Sequence, residues 1–228
     1  MVQVDGNNDE KDDSNEMIIA CLNSRSINNK TTALVDLFDE MKLSVCLITE
    51  TWMSSGPQTE ARLDDLLYGE DLGFFTKNRE GRRGGGVAIA YNTNKMRIRE
   101  FELQGFSRAQ EAVAAIGTHI ETGMEVFFVA IYLPPAMKKK DVDQICELLS
   151  NNISQVKTAH PSIYIALGGD INKKKIQRAV SDFPLVKKLN TGPTRGRHAL
   201  DVIFTDLPNT TVDVVAPIET EDLSLIHI

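Results

Sequence analysis

The chain alternates short apolar runs with polar breaks, and the spacing within each run separates strands from helices. After a polar stretch over residues 1–16, MIIACLN (Met17 to Asn23) reads as a buried strand that stops on an asparagine. Asn28 to Thr32 offer helix-capping chemistry, and Ala33, Leu34, Leu37, Phe38 and Met41 follow at helical spacing. SVCLITE is a second strand, rich in β-branched residues and ending at Glu50. Residues 53–80 are less regular, with a short helix expected in TEARLDDLLYG. GGGVAIAYN becomes a strand from Val87. EAVAAIGTHIETGMEVFFVAIYLPP predicts a hairpin of two apolar strands around a turn at Glu121 to Met124. In DVDQICELLSNNI, Val142, Ile145, Leu148, Leu149 and Ile153 fall on one helical face. IYIALGGDIN, LDVIFTD and VDVVAPI supply three more strands. With no internal repeat and no interior linker rich in Pro or Ser, this order predicts one mixed α/β domain over residues 17–228.

Composition fits an ordinary globular protein of 228 residues, with 42% hydrophobic and 25% charged positions. Cys21, Cys46 and Cys146 each lie in an apolar stretch with no CxxC pairing, which predicts buried free thiols in a reducing compartment. No apolar run approaches the roughly 20 residues that cross a bilayer. The N-terminus is acidic and does not resemble a secretory signal, so an intracellular location, nuclear or cytoplasmic, is expected.

Charge changes the picture only once its distribution is read. The net charge of −7 argues against a nucleic-acid partner, but the leader over residues 1–16 carries six acids and one lysine, −5 of that total. The leader is nearly devoid of apolar residues and is expected to be disordered. The remainder is close to balanced, with basic clusters at KNREGRR, Lys138 to Lys140 and Lys173 to Lys175 that permit a phosphate partner.

Several strands stop on an oxygen-bearing side chain: Asn23, Glu50, Tyr132, Asp170 followed by Asn172, Asp201 and Asp222. Each alone has a plain structural explanation, such as a cap, a solvated strand end or a turn. Functional groups nevertheless collect beyond strand ends in α/β sheets. An oxygen-rich set without His or Cys suits Mg²⁺ rather than zinc. In GGDIN, Gly168 and Gly169 are expected to turn the chain and let its backbone approach a phosphate, with Asp170 and Asn172 facing the same side.

CLNSRSINNK, LITETW, KNREGRRGGGVAIAY, IYLPP, GGDIN and GPTRGRHALDVIFTD occur in an order that resembles the endonuclease/exonuclease/phosphatase superfamily. More narrowly, they resemble the endonuclease domain of LINE-type (non-LTR) retrotransposon polyproteins, over Met17 to Asp222. The resemblance implies a two-sheet α/β sandwich with its site at one edge. It also implies a DNA endonuclease that uses Mg²⁺, with Mn²⁺ as a substitute, and leaves a 3′-hydroxyl. By the same resemblance, Glu50 is the principal carboxylate ligand of the cation, with Asn23 beside it and Asp222 as a further ligand and catalytic residue. Asp170 orients or deprotonates the attacking water, Asn172 donates to a phosphate oxygen, and Tyr132 points its hydroxyl at the phosphate. Arg79 and Thr194 are expected to contact phosphate or DNA, and Asp201 to hold a catalytic histidine. A monomer is expected, and an intact parent polyprotein would also carry a reverse transcriptase.

The chain departs from that family at its end, where the family pattern is Ser-Asp-His. In ETEDLSLIHI, Asp222 matches the aspartate, Glu221 stands at the serine position and Leu223 at the histidine position. Leucine can neither hydrogen-bond a phosphate nor accept a proton. His227 lies four residues on in an expected final strand, and His119, His160 and His198 lack the motif's context. This departure leaves three readings: a weakened endonuclease, an inactive relict that still folds, and an abasic-site nuclease or phosphatase of the same superfamily. It also suggests a domain truncated at its C-terminal end.

Overall fold

A computed structural model describes residues 16–28, 30–53, 71–79, 84–172, 174–189, 201–211, 214–215 and 225–226. The helix expected over residues 59–69, the leader up to residue 15, and Thr194, His198, Glu221, Asp222, Leu223 and His227 lie outside these residues. The elements run β1 (Ile19–Asn23), α1 (Thr31–Glu40), β2 (Val45–Thr49), β3 (Leu72–Lys77), β4 (Val87–Asn92), β5 (Met96–Phe101), β6 (Glu111–His119) and β7 (Glu125–Tyr132). They continue with α2 (Lys139–Ala159), β8 (Tyr164–Asp170), a 3-10 turn (Gln177–Val180), β9 (Lys187–Lys188), β10 (Asp201–Thr205), β11 (Val214–Val215) and β12 (Leu225–Ile226). One sheet has the order β1-β2-β4-β3 and the other β5-β6-β7-β8-β10-β9, with β11 and β12 a separate pair.

The central strands read as nearly continuous apolar runs because both of their faces are covered. Alternate residues of the two sheets meet between them: Ile19, Val45, Leu47 and Ile89 on one side, Val113, Val126, Phe128, Ala130 and Ala166 on the other. On the outside of the smaller sheet, Leu34, Leu37 and Phe38 of α1 pack over Ala20, Leu22, Cys46 and Ile48. Outside the larger sheet, Val142, Ile145, Leu149 and Ile153 of α2 cover Phe127, Val129, Ile131, Ile165 and Leu167. The result is a two-sheet α/β sandwich with a helix on each outer face.

The structure departs from the sequence reading in several places. Lys30 occupies the N-cap of α1 without a side-chain cap bond, and the Asn28 amide donates instead to the Trp52 carbonyl at 3.3 Å. On α2, Leu148 is only half-buried, while Cys146 and Val156 join the buried face. Strands β3 and β5 were not evident in the sequence. Both lie at sheet edges, where half-exposed positions blur the alternation.

Gly168 and Gly169 lie inside β8 rather than in a turn. A Cβ on Gly168 would sit 2.9 Å from Leu47 Cδ1 of the opposing sheet, and one on Gly169, at φ +146, would sit 1.8 Å from the Ile131 carbonyl oxygen. These glycines therefore admit neighbouring strands, and the turn expected at them is corrected to strand. All three cysteines are buried free thiols, and burial pushes Cys21, Cys46 and Cys146 upward in pKa, keeping them protonated. No described helix is long and apolar enough to cross a membrane.

Gly169→Ala is expected to cost about 2–4 kcal/mol in urea-induced unfolding, because its Cβ must displace backbone and no side chain can yield. A second expectation concerns His119, which is fully buried with Nδ1 3.0 Å from Thr122 Oγ1 and whose pKa is lowered chiefly by burial. Below about pH 6.5 the unfolded chain takes up this proton before the folded one does. Its contribution to stability is therefore complete above that pH and declines as the pH falls, a slope that His119→Gln should flatten in denaturation measured at several pH values.

Candidate functional site

The alternation that fills the inner core also delivers polar groups to one end of it. On β1 the inward positions are Ile19, Cys21 and Asn23; on β7 they are Val126, Phe128, Ala130 and Tyr132. On β8 they are Ala166, Gly168 and Asp170, and on β6, read backwards, Ala115, Val113 and Glu111. Register puts the polar positions at one edge, with Glu111 opposite Tyr132, Asp201 opposite Asp170, and Asn23 opposite Thr49. Each column is apolar until its last residue.

Asn23 joins the two sheets there. Its amide Nδ2 donates to Glu50 Oε1 at 3.2 Å and to Asp170 Oδ2 at 2.9 Å, while its Oδ1 accepts from the Arg25 backbone N–H at 3.3 Å. Asp170 is fully buried, and its Oδ1 accepts the backbone N–H of Asn172 at 2.9 Å. Two N–H donors aimed at one carboxylate suit its negative charge. The chain leaves extended geometry after Asp170, with Asn172 at φ +45, a conformation Asn tolerates better than most residues. Asn172 and Asp170 are thus held together by that backbone bond and not by strand alternation, and the Asn172 amide donates to the Leu133 carbonyl at 3.1 Å.

Glu50 lies just beyond β2 at φ +54, and Trp52 also has φ +54. Strained residues of this kind persist only where surrounding bonds over-determine them. Here Ser26 N–H donates to the Glu50 carbonyl at 2.8 Å, and Trp52 N–H donates to the Gly85 carbonyl at 2.8 Å. The Trp52 indole Nε1 donates to Glu50 Oε2 at 3.3 Å.

A second network borders Tyr132. Arg79 donates through Nε and Nη2 to Glu111 Oε1 at 2.8 and 2.6 Å, and its guanidinium lies 5.5 Å from the centre of the Tyr132 ring. Glu111 Oε2 accepts the Gly86 backbone N–H at 2.5 Å. A Cβ on Gly85 would meet Arg79 and Glu111 atoms at 2.3 Å, and one on Gly86 would meet Thr51 Oγ1 at 2.4 Å. Burial opposes the charge of Arg79, but the Glu111 carboxylate more than offsets it, so its pKa is raised. Tyr132 is pushed up to about 12, first by burial and then by the Glu50 and Asp170 carboxylates. Its hydroxyl therefore stays protonated at neutral pH and can donate a hydrogen bond to an anion.

Of the residues expected from sequence, Asn23, Glu50, Arg79, Tyr132, Asp170, Asn172 and Asp201 lie along this edge. Thr194 and Asp222 fall outside the described residues. His119, at the other end of β6, and His160, 3.6 Å from Glu125 at the start of β7, are remote from it. Sequence reasoning missed Glu111 and Trp52. Glu111 was detectable as an acid opening an otherwise apolar strand, and Trp52 as the third residue of the ETW stretch.

The donor set is oxygen chemistry. The Glu50 and Asp170 carboxylates, drawn together by the Asn23 amide, offer the hard oxygen atoms that suit a divalent cation over a soft one. Among the described residues no group of three His, Cys, Asp or Glu side chains could hold a metal alone.

No family model and no curated protein matches the sequence. Solved structures do match its fold. The endonuclease domain of TRAS1, a telomere-specific non-LTR retrotransposon, is 16% identical with a TM-score of 0.66, covering 92% of this chain and 96% of that one. The mannosyl-6-phosphatase Bt3783 of Bacteroides thetaiotaomicron is 13% identical with a TM-score of 0.63, covering 93% and 98%. D. rerio TDP2 complexed with a single-strand DNA product is 13% identical with a TM-score of 0.60, covering 92% and 97%. At such identities the likeness establishes the fold alone.

Glu111→Ala should lower stability by about 2–3 kcal/mol in chemical denaturation, since it strips the charged partner from half-buried Arg79 and the acceptor from Gly86.

Proposed function

We propose that this chain, whose fold is that of the endonuclease/exonuclease/phosphatase proteins, is a phosphodiesterase that nicks DNA to leave a 3′-hydroxyl, with Mg²⁺ as cofactor and Mn²⁺ as its substitute. The observation that carries this reading is the convergence of Asn23, Glu50, Tyr132 and Asp170 from four strands on one edge, bordered by Arg79. A phosphodiester is anionic and repels hydroxide, so its hydrolysis needs positive charge, neutral donors and a proton acceptor together. Glu50 and Asn23, with Asp222, would hold the cation. When bound, it supplies charge stabilisation to the phosphoryl oxygens. Asp170 orients the attacking water and accepts its proton, which is why both of its oxygens are fixed by N–H donors. Tyr132 donates its hydroxyl to the phosphate. Arg79, held over the Tyr132 ring by Glu111, brings a fixed cation to the same edge, and Asn172 offers an amide hydrogen beside Asp170. Thr194 and Asp201 complete the proposed set.

DNA as the substrate has support from charge. Exposed Lys138, Lys139, Lys140 and Lys175 flank the loop that carries Leu133, whose carbonyl binds Asn172. Lys174 stitches the two basic runs together by donating to the carbonyls of Pro135 and Met137 at 2.8 and 2.9 Å. Lysines at the start of α2 oppose the helix dipole, so they cost the helix stability and suit a polyanion instead.

Leu223 favours a second reading, a folded relict without turnover. One set of assays separates these readings. Supercoiled plasmid with Mg²⁺ should be nicked by the wild-type chain and not after EDTA, and Asp170→Ala should lower the rate by at least on the order of 10³-fold. Equal nicking by both proteins removes the proposal. An inert parent activated by Leu223→His establishes the relict, while exclusive turnover of a phosphomonoester or an abasic duplex transfers the site to another substrate.

A further inference from the structure

Trp52 takes no part in the chemistry above, yet both its backbone and its indole are hydrogen-bonded beside Glu50. It is the only tryptophan in the chain. Its backbone adopts φ +54, which no β-strand alternation requires, and this rotation brings the indole back toward a residue two positions earlier. The segment is clamped from both sides. The Asn28 amide donates to the Trp52 carbonyl at 3.3 Å, and Ile27 N–H donates to the Thr51 carbonyl at 3.0 Å. Opposite, Thr51 and Trp52 N–H donate to the Gly86 and Gly85 carbonyls at 3.3 and 2.8 Å. What the clamp delivers is the indole Nε1–H, 3.3 Å from Glu50 Oε2, while the Asn23 amide holds Oε1 at 3.2 Å.

We infer that Trp52 is a positioning residue for a divalent cation at Glu50: its indole N–H holds one carboxylate oxygen and so fixes the orientation in which Glu50 meets the ion. The inference rests on the reading that Glu50 binds such a cation. An indole suits the task because it is a donor only and carries no charge. A lysine or arginine in its place would orient the carboxylate but cancel the charge that attracts the ion. An acceptor there could compete for the ion itself. Partners of this kind, which touch a ligand and not the metal, commonly set metal affinity by 10–100-fold. The strained backbone at Glu50 and Trp52 is then the cost of presenting the carboxylate pre-oriented.

Because the indole contacts a ligand, occupancy is readable without turnover. Mn²⁺ titrated into the wild-type chain is expected to quench tryptophan emission saturably, at the concentrations at which calorimetry registers binding. Mg²⁺ should reverse the quenching by competition, and Glu50→Gln should abolish both signals. Trp52→Phe keeps an aromatic ring and removes the N–H, and is expected to weaken Mn²⁺ binding by about 10–100-fold in calorimetry, with circular dichroism confirming its fold. Wild-type affinity in Trp52→Phe overturns the inference and leaves the cation site standing. Calorimetric binding that depends on Glu50 but leaves the emission unchanged overturns it as well, without any need for the variant to fold. If the wild-type chain binds no Mn²⁺ at millimolar concentrations, both the cation site and the inference fall.

Discussion

The hydrogen bond from Asn23 to Asp170 spans 147 positions of sequence and joins the last residue of β1 in one sheet to the last residue of β8 in the other at 2.9 Å. Both residues are buried, Asn23 at 1% and Asp170 at 0% exposure, so neither can turn to water for a partner. A buried amide or carboxylate left unpaired costs one to several kcal/mol, which makes this contact a condition on how the sandwich closes. The same amide reaches Glu50, so the inter-sheet bond and the orientation of the candidate ligand are one arrangement. A one-residue slip in the register of β1 or β8 would break the bond and turn that strand's inward column outward.

Close approach of backbones makes that geometry possible. Strand β8 lies against the Ile131 carbonyl only because Gly169 has no Cβ, and Gly168 leaves room for Leu47 from the facing sheet. Gly85 and Gly86, at φ +71 and +85, do the same for the Glu50–Trp52 segment and for the Arg79–Glu111 pair. Tyr132 then sits between the Arg79 guanidinium and the acidic groups of Glu50 and Asp170, with burial keeping its proton in place. The site is therefore built by packing first. Its polar groups are oriented by one another, so their arrangement is set by the fold itself.

Among solved structures this sandwich accompanies proteins described as a retrotransposon endonuclease domain, a mannosyl-6-phosphatase and TDP2 complexed with a single-strand DNA product. Fold alone does not choose among such substrates. Around that end of the sandwich this chain places a lysine-rich loop and helix start, an Arg79 guanidinium over Tyr132, and an indole on Glu50.

Period and composition were enough to place the central strands, both described helices and the strand-end side chains of Asn23, Tyr132 and Asp170, because residues packed from two sides leave an uninterrupted apolar run that stops at its first exposed or polar position. The hairpin of β6 and β7 and the strand ends at Asn23, Tyr132 and Asp170 are of this kind. Edge strands β3 and β5 left only a blurred pattern, since half-exposed positions accept either polarity. The two glycines of β8 looked like a turn, because sequence reports that a Cβ is missing and not what occupies its place. Only the tertiary structure decided that Glu111 anchors Arg79, that Trp52 turns back onto Glu50, and that one amide serves two carboxylates. Three of those contacts join residues 27, 32 and 147 positions apart, separations at which tertiary packing and not local propensity brings partners together, and Trp52 meets Glu50 through a left-handed backbone clamped by Asn28 and Gly85.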